Sequence, residues 1–235
     1  MKKSVRSDAS NIETIVILHS SDDLYGADRI LLQVLNGMDP KRFRPVVVLP
    51  DDMKHVGLLS AKLAELNIEY LHLPILIVRR RYLQPRMLPT LVGRALKGTL
   101  AVRRLVRESN ARLIYGFTFA VIAAPLAALA AGRPLVMHAH ELLVRPDWLR
   151  RSLHALFVRR AQAVICISEA VRENILRDEP NAGSKLRTVH NGLESRSLPS
   201  KSPEEARAEL QLPAGVPVIG MVGRISAWKG QRLLL

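Results

Sequence analysis

Short apolar runs rich in β-branched residues alternate with helical patterns along most of this chain. Seven such runs occur, at residues 14–19, 45–49, 69–73, 112–116, 134–138, 163–168 and 186–191. Helical patterns lie between them, near residues 27–37, 56–66, 88–108, 119–131, 148–160 and 169–178. Strands that are apolar on both faces and separated by helices are typical of a parallel sheet covered on both sides. The sequence therefore predicts an α/β fold with a doubly wound parallel sheet of about seven strands.

A sheet of this kind binds ligands beyond the carboxyl ends of its strands. The first predicted strand is followed by a polar loop from Ser20 to Gly26, which opens a helix. Because the N-terminus of a helix has free N–H groups, this loop is suited to a phosphate. The chain contains no GxGxxG motif, which argues against a dinucleotide-binding dehydrogenase.

The alternation changes in the last fifth of the chain. Residues 195–203 are polar and contain two prolines, as a linker does, and residues 202–205 have the sequence of a helix N-terminus. The apolar run at 217–222 then predicts a new strand. We predict an N-terminal Rossmann-like domain at 1–199, and a linker with the truncated start of a second Rossmann-like domain at 200–235. So short a second segment is too small for an independent core.

The charge of the chain narrows the choice of partners. There are 35 Lys and Arg residues against 21 Asp and Glu, a formal net charge of +14. Such a charge predicts attraction to phosphates, whether those of nucleic acid, of an anionic membrane surface, or nucleotide and lipid-linked phosphates. The single cysteine, Cys166, cannot form a disulfide within the chain, which favours a reducing cytoplasm. The apolar stretch 117–132 is shorter than the roughly 20 residues of a membrane span and predicts a buried helix.

Five segments together resemble one enzyme family. In chain order they read YGADRILLQ, PLVMHAHEL, AVICISEAVREN, VHNGLE and GMVGRISAWKGQRLLL. The resemblance extends over residues 14–235 and is to the family 4 glycosyltransferases of the GT-B fold. It implies two facing Rossmann-like domains with the active site between them. It also implies a nucleotide diphosphate sugar as the donor substrate, transfer with retention of configuration and no cofactor.

The resemblance also implies roles for particular residues. Arg224 and Lys229 would bind the diphosphate of the donor, and His140, followed by Glu141, would contact the reacting sugar. The glycine loop of the family corresponds to Tyr25 and Gly26, which would hold a phosphate or the acceptor. A leaving diphosphate gains negative charge, which paired cations can stabilise. Since the sequence contains no Asp-x-Asp motif, we expect a transfer that does not depend on a metal.

The chain departs from the family pattern in two places. Tyr25 replaces the first glycine of the family's pair, and Asp28 replaces its Glu. A residue other than glycine is less free to adopt a positive φ, so we expect the loop with Tyr25 to fit a phosphate less well than the family's loop does. The family's Glu-x7-Glu motif, which grips the ribose and sugar of the donor, would lie beyond Leu235. We therefore expect the 235-residue chain alone to have little transferase activity.

Simpler interpretations of these residues stay open. His138 and His140 share one face of a strand and could bind a metal, but only Glu141 is placed as a third ligand. Two histidines hydrogen-bonded in a polar cleft are the plainer alternative, and His138 is the alternative register for the active-site histidine. Arg224 and Lys229 would otherwise be solvated loop cations. Ser168 has the sequence signature of a helix N-cap.

The region 79–107 contains nine Lys and Arg residues and no acid. A helical wheel predicts an apolar side and a basic side for the helix within it. The apolar side comprises Leu91, Val92, Ala95, Val102, Leu105 and Val106, and the basic side Arg94, Lys97, Arg103, Arg104 and Arg107. The basic side is either an ordinary solvated surface or a site for anionic lipid headgroups, with Arg94, Lys97, Arg104 and Arg107 facing the membrane. Nucleic acid is the rival partner, but no nucleic-acid-binding signature occurs and aromatic residues are scarce.

The sequence thus predicts a glycosyltransferase that moves a sugar from a nucleotide diphosphate sugar to a glycan or a lipid-linked acceptor, as in polysaccharide biosynthesis. The resemblance places it in the cytoplasm, peripheral on the inner face of the membrane. Two other classes stay open. One is a non-catalytic fragment or binding module, and the other is a different GT-B enzyme such as a nucleotide-sugar epimerase.

Overall fold

The computed structural model describes residues 12–52, 57–79, 84–144, 146–192, 201–213, 215–223, 225 and 229–234. The chain divides into two compact units, Met1–Gly192 and Leu193–Leu235. The domain limits predicted at residues 199 and 200 remain a proposal.

The first unit contains the predicted alternation of strands and helices. Its strands are β1 Glu13–Leu18, β2 Phe43–Pro50, β3 Glu69–Leu73, β4 Leu113–Phe117, β5 Leu135–Ala139, β6 Ala163–Cys166 and β7 Leu186–Thr188. Its helices are α1 Gly26–Asn36, α2 Leu58–Glu65, α3 Leu88–Glu108, α4 Ala123–Ala131, α5 Asp147–Arg160 and α6 Glu169–Asp178, with short 3₁₀ turns at Pro85–Met87 and Pro180–Ala182. The predicted elements are confirmed, although β6 and β7 end earlier than expected and α4 begins later.

All seven strands are parallel and form one sheet in the order β3-β2-β1-β4-β5-β6-β7. The chain builds outward from β1 to β3, then returns through α3 to the other side of β1 and builds outward again. The predicted doubly wound α/β fold is therefore confirmed. The direction of winding changes between β1 and β4, where Leu18 pairs with Gly116. In open sheets of this kind, ligands bind in the crevice at that point.

Hydrophobic residues cover both faces of the sheet. Along β1, Val16 and Leu18 point into one core, whereas Ile15 and Ile17 point into the other. This alternation follows from the two-residue repeat of a strand. Helices α3, α4, α5 and α6 pack in the first core, and α1 and α2 in the second.

The helix predicted within 117–132 packs closely against the sheet. Gly116 on β4 has no room for a side chain, because a Cβ atom there would lie 2.4 Å from Sδ of Met137 and 2.8 Å from Cβ of Ala124. Four alanines of α4 are accordingly buried, as predicted, namely Ala123, Ala124, Ala127 and Ala128. Ala130, on the outer side, is exposed. Among the residues that the structure describes, no helix is long and apolar enough to cross a membrane.

In the second unit the structure describes two helices, α7 Pro203–Glu209 and α8 Gln231–Leu234. The predicted start of α7 is confirmed, since Oγ of Ser202 accepts from the backbone N–H of Glu205 at 3.1 Å. The strand predicted at 217–222 does not form, and its apolar side chains are exposed. A strand needs a neighbour for its backbone hydrogen bonds, and the described residues of this unit include no other strand.

Candidate functional site

The candidate site lies at the carboxyl edge of the sheet. Because all strands are parallel, the residues that follow them meet along this edge. His19 follows β1, Thr118 follows β4 and His140 follows β5. The first two therefore flank the point where the winding direction changes.

Three histidine rings surround Phe117, the last residue of β4. The ring centroids of His19, His138 and His140 lie 5.3, 4.8 and 4.6 Å from that of Phe117, and the rings of His138 and His140 are 4.2 Å apart. Burial lowers the pKa of His138 to about 4. Burial, together with the nearby charges of His138 and His19, lowers the pKa of His140 to about 3. Both rings are therefore neutral near pH 7.

His138 and His140 differ in their hydrogen bonds. The hydroxyl of Tyr115 lies within hydrogen-bond distance of Nδ1 of His138, at 2.9 Å, and burial raises the pKa of Tyr115, so the phenol keeps its proton. His138 is thereby held inside the sheet, 4% exposed. Nε2 of His140 is shielded from solvent and has no hydrogen-bond partner among the described residues. Nε2 of His138 and Nδ1 of His19 are likewise buried without a partner among the described residues, so His140 is distinguished from His138 by its position beyond the end of β5.

Glu141 contacts the neighbouring strand end. One of its carboxylate oxygens lies 3.2 Å from the backbone nitrogen of Phe119 and 3.3 Å from that of His140. Burial raises the pKa of Glu141, although these backbone donors and the hydroxyl of Thr118 act in the opposite direction. In this structure the carboxylate joins the residues after β4 to those after β5.

Thr118 has an unusual backbone conformation at the same place. Its φ is 87°, in the region that favours glycine, and the residue is 3% exposed. Its N–H donates to the carbonyl of His138 at 2.9 Å, which holds the conformation in place. A β-branched residue at positive φ is strained, and such strain is concentrated at functional sites.

The loop between β1 and α1 is organised by Asp28. Nε2 of His19 lies 2.6 Å from Oδ1 of Asp28, which also accepts from the hydroxyl of Ser21, and Oδ2 accepts from the N–H of Tyr25 at 2.8 Å. Burial alone would raise the pKa of Asp28, but these donors and the charge of His19 outweigh it, so the pKa is lowered. Asp28, which stands where the family has Glu, therefore uses its carboxylate for hydrogen bonds within the β1–α1 loop.

Tyr25 and Gly26 lie at the outer end of this loop. Tyr25 has extended backbone with φ −78°, so the tyrosine in place of glycine introduces no strain, and its side chain is exposed. No atom lies within 4 Å of where a Cβ of Gly26 would be. The first turn of α1 therefore faces open space on this side.

Asp22 fixes the same loop to the two neighbouring elements. Its buried carboxylate accepts from the N–H and hydroxyl of Ser60 on α2 at 2.7 and 3.0 Å, and lies 2.8 Å from Nε2 of His72 on β3. A guanidinium nitrogen of Arg79 donates to the carbonyl of Ser20 at 3.0 Å. The loop is thus tied by side-chain hydrogen bonds to α2, to β3 and to Arg79.

The proposed donor-binding cations lie in the second unit. Arg224 is outside the described residues. Lys229 is described there and is exposed. Their predicted role stays a prediction.

Helix α3 differs from the helical-wheel prediction at one position on each side. The guanidinium of Arg94 turns inward, 2.6 Å from the carboxylate of Asp51 and 3.2 Å from the carbonyl of Ile75, so this side chain does not face a membrane. Val92, predicted on the apolar side, is exposed. Lys97, Arg104 and Arg107 are exposed as predicted.

Some site residues carry no motif that marks them in the sequence. His19, Asp22 and Thr118 are the examples. Their only signal is position, since each lies within four residues of the end of a strand at the carboxyl edge. Ser168 was predicted as an N-cap, and its Oγ accepts from the N–H of Val171 at 3.3 Å. Among the described residues, no group of three or more His, Cys, Asp or Glu side chains is arranged to hold a metal ion.

Comparison with known proteins assigns this architecture to a family. The model of Glycosyltransferase Family 4 matches residues 24–196. Alpha-maltose-1-phosphate synthase of Mycolicibacterium smegmatis (strain ATCC 700084 / mc(2)155) is 29% identical over 160 residues, which cover 60% of this chain and 41% of that protein.

Among solved structures, Anabaena Alr3699/HepE in complex with UDP and glucose superposes with a TM-score of 0.66 at 23% identity, covering 94% of this chain and 56% of that one. A glycosyltransferase from Rickettsia africae ESF-5 superposes with a TM-score of 0.62 at 16% identity, covering 95% and 56%. These structures share the fold, and the chain spans about half the length of the relatives that it matches. Since the family model matches well over half of its residues, the chain belongs to glycosyltransferase family 4.

Proposed function

We propose that this chain forms the acceptor-binding part of an enzyme that transfers a sugar from a nucleotide diphosphate sugar to a glycan or a lipid-linked acceptor. Family membership supports the reaction class. The observation that carries the proposal is the imidazole of His140, which lies at the carboxyl edge with Nε2 unpaired among the described residues. A hydroxyl of the reacting sugar would complete its hydrogen bonding.

The electrostatics of His140 define what it contributes. With a pKa of about 3, the ring is neutral at the pH of the cytoplasm. It would orient the sugar through one hydrogen bond and would supply no positive charge to the leaving group. The charge that develops on the diphosphate therefore needs other groups, and we assign it to Arg224 and Lys229. Retention of configuration, independence of metal ions and the absence of a cofactor are part of the same proposal.

The β1–α1 loop is the proposed contact for the acceptor or for a phosphate. The first turn of α1 faces open space at Gly26, and the exposed ring of Tyr25 stands beside it. Asp28 occupies the backbone N–H of Tyr25, which leaves the later N–H groups of the turn for a ligand. Because the carboxylate of Asp28 is buried and hydrogen-bonded on both oxygens, its charge is partly offset.

For location, we propose a cytoplasmic protein held at the inner face of the membrane by attraction between anionic lipids and the basic side of α3. The net charge of +14 supports this. The exposed side chains of Lys97, Arg104 and Arg107 provide the attraction.

The test uses the full-length enzyme with labelled nucleotide sugars and a lipid extract or glycan as acceptor. We expect transfer to an acceptor, and a decrease in kcat of about 10² for His140→Ala with little change in the affinity for nucleotide. His190→Ala, which changes an exposed histidine after β7, is the matched control and should retain full activity.

The same assay separates the alternatives. An epimerase would interconvert nucleotide sugars without any acceptor, and a binding module would bind nucleotide saturably with no turnover. Either result, or full activity of His140→Ala, would refute the proposed transfer.

A further inference from the structure

A buried ion pair joins helix α5 to the last residue of α6. Nε and Nη2 of Arg150 donate to the two carboxylate oxygens of Asp178 at 2.8 and 3.0 Å, and the two side chains are 8% and 2% exposed. Nη1 of Arg150 also donates to the carboxylate of Asp147 at 2.8 Å. A planar guanidinium that is bound on two prongs has a defined orientation as well as a charge. These partners therefore orient Nη1 of Arg150.

His154 is the third member of this buried cluster. Its Nδ1 lies 2.6 Å from Oδ2 of Asp178, and its ring is fully buried. Burial lowers the pKa of His154, whereas the hydrogen bonds from Arg150 and His154 lower the pKa of Asp178. Near pH 7 the ring is thus neutral and the carboxylate is charged, so Nδ1 carries the proton that Asp178 accepts. The proposed reaction assigns no part to any of these three residues.

The same arginine holds the connection between β5 and α5. Nη1 of Arg150 donates to the backbone carbonyl of Val144 at 3.2 Å. This connection begins with His140 and Glu141, because β5 ends at Ala139. The carboxylate of Glu141 ties its first residues to the end of β4, and Arg150 ties residue 144 to α5. The connection that carries His140 therefore has an anchor on each side of residues 142 and 143.

A second path leads from the cluster to the candidate site through Phe119. The ring of His154 meets that of Phe119 edge to face, with the ring centroids 5.7 Å apart. The N–H of Phe119 is the donor that Glu141 accepts at 3.2 Å, and the same carboxylate oxygen lies 3.3 Å from the backbone nitrogen of His140. Both anchors of the connection thus contact the cluster, one directly and the other through Phe119.

We infer that Arg150 is a positioning residue, which together with Asp178 fixes the β5–α5 connection and thereby the place of His140. A buried ion pair adds little to stability over apolar residues of the same size, because the cost of desolvation offsets the attraction. Its contribution here is the geometry of the connection. The consequence for catalysis rests on the proposed function, since it supposes that His140 contacts the reacting sugar.

The first test measures amide hydrogen exchange in the 235-residue chain. Arg150→Lys keeps the positive charge, but an ammonium lacks the planar fork that bonds the carboxylate and the loop carbonyl together. Exchange at the amides of residues 140–144 should become faster by about tenfold, while the strands of the sheet keep their protection. Asp178→Asn, which removes the charge at nearly the same shape, should act in the same way. The matched control is Arg159→Lys, the same change in an exposed pair with Glu179 on the same helix, and it should leave residues 140–144 unchanged.

The second test is a double-mutant cycle in the full-length enzyme. Arg150→Lys alone should lower kcat by about tenfold, because a small misplacement of a group that contacts the substrate is costly. In the His140→Ala background the same substitution should change kcat by less than about twofold, because the group that Arg150 positions is already gone. Arg159→Lys should leave kcat unchanged in both backgrounds. A pair that acts only on the stability of the domain would have equal effects in the two backgrounds.

Three results would overturn the inference and leave Arg150 a structural residue of α5 and α6. They are unchanged exchange at residues 140–144 in Arg150→Lys, faster exchange across the whole sheet to the same extent, and equal losses of kcat with and without His140. The exchange measurement needs no activity. If the full-length enzyme transfers no sugar, the proposed function fails, whereas the exchange at residues 140–144 still decides whether Arg150 fixes the connection.

Discussion

The carboxylate of Glu141, which follows β5, accepts a hydrogen bond of 3.2 Å from the backbone N–H of Phe119, which follows β4. A further 3.3 Å contact to the N–H of His140 ties the same oxygen to the candidate active-site residue. Glu141 was predicted to be catalytic from the resemblance alone. Its contacts in the structure are those of a group that positions His140.

Substitutions at Glu141 distinguish the two roles. If Glu141 positions His140, Glu141→Gln keeps one oxygen for the backbone donors and should retain most of kcat, whereas Glu141→Ala should lower it by about tenfold or more. A catalytic carboxylate would lose activity in both variants. The measurement is kcat and KM of the full-length enzyme, with pH profiles for each variant.

Arg224 and Lys229 should each be essential if they clamp the leaving diphosphate. Removal of a contact that forms fully only in the transition state costs about 2.7–4 kcal/mol, so each Ala variant of the full-length enzyme should lose about 10²–10³ in kcat/KM. The double variant should lose less than the sum, because both cations serve one charge. Arg232→Ala, an exposed arginine of α8, is the control. Near-normal kinetics of both Ala variants, with the fold intact, would show that the segment GRISAWKG is a turn whose cations do not contribute to catalysis.

Acid should destabilise the fold through the buried histidines. His138 and His140 have pKa values of about 4 and about 3, below the ordinary value of about 6.5, so the unfolded chain binds more protons between these limits. Their contribution to stability is therefore complete above about pH 6.5 and is lost as the pH falls toward 3. The pKa of His154 is also lowered by burial and acts in the same direction.

Urea unfolding at two pH values measures this effect. From pH 7 to pH 5 the free energy of unfolding should fall by about 1–2 kcal/mol for each such histidine. His140→Gln should reduce that dependence, whereas His190→Gln, at an exposed position, should leave it unchanged. Equal stability at both pH values would contradict the assignment of buried, neutral rings.

Removal of the Asp22 carboxylate should loosen the β1–α1 loop. Asp22→Ala leaves the N–H and hydroxyl of Ser60 without their acceptor, and a buried donor left unpaired costs about 1–3 kcal/mol. Asp39→Ala removes only an exposed turn contact to Lys41 and should cost well under that amount. Thermal unfolding checks both. A similar midpoint for the two variants would show that the Asp22 contacts add nothing to stability.

The sequence by itself determined the sheet and most of its helices. Apolar β-branched runs and helical periodicity predicted β1–β7 and α1–α6 to within a few residues, because the two periods of side-chain burial differ and Gly and Pro mark the breaks. The same signal failed at 217–222, where an apolar run has no strand beside it among the described residues. A run of apolar residues predicts a strand only if a neighbour exists to pair with it.

Only the tertiary structure decided which of these residues act together. His19, His138 and His140 are far apart in the chain, and they meet around Phe117 because β1, β4 and β5 end at one edge. On α3, a helical wheel placed Arg94 outside and Val92 inside, but the structure reverses both. Asp51, next to the end of β2, offers Arg94 a carboxylate, and Val92 belongs to neither core. Local periodicity sets the elements, whereas distant partners set the burial, the charge state and the contacts of each side chain.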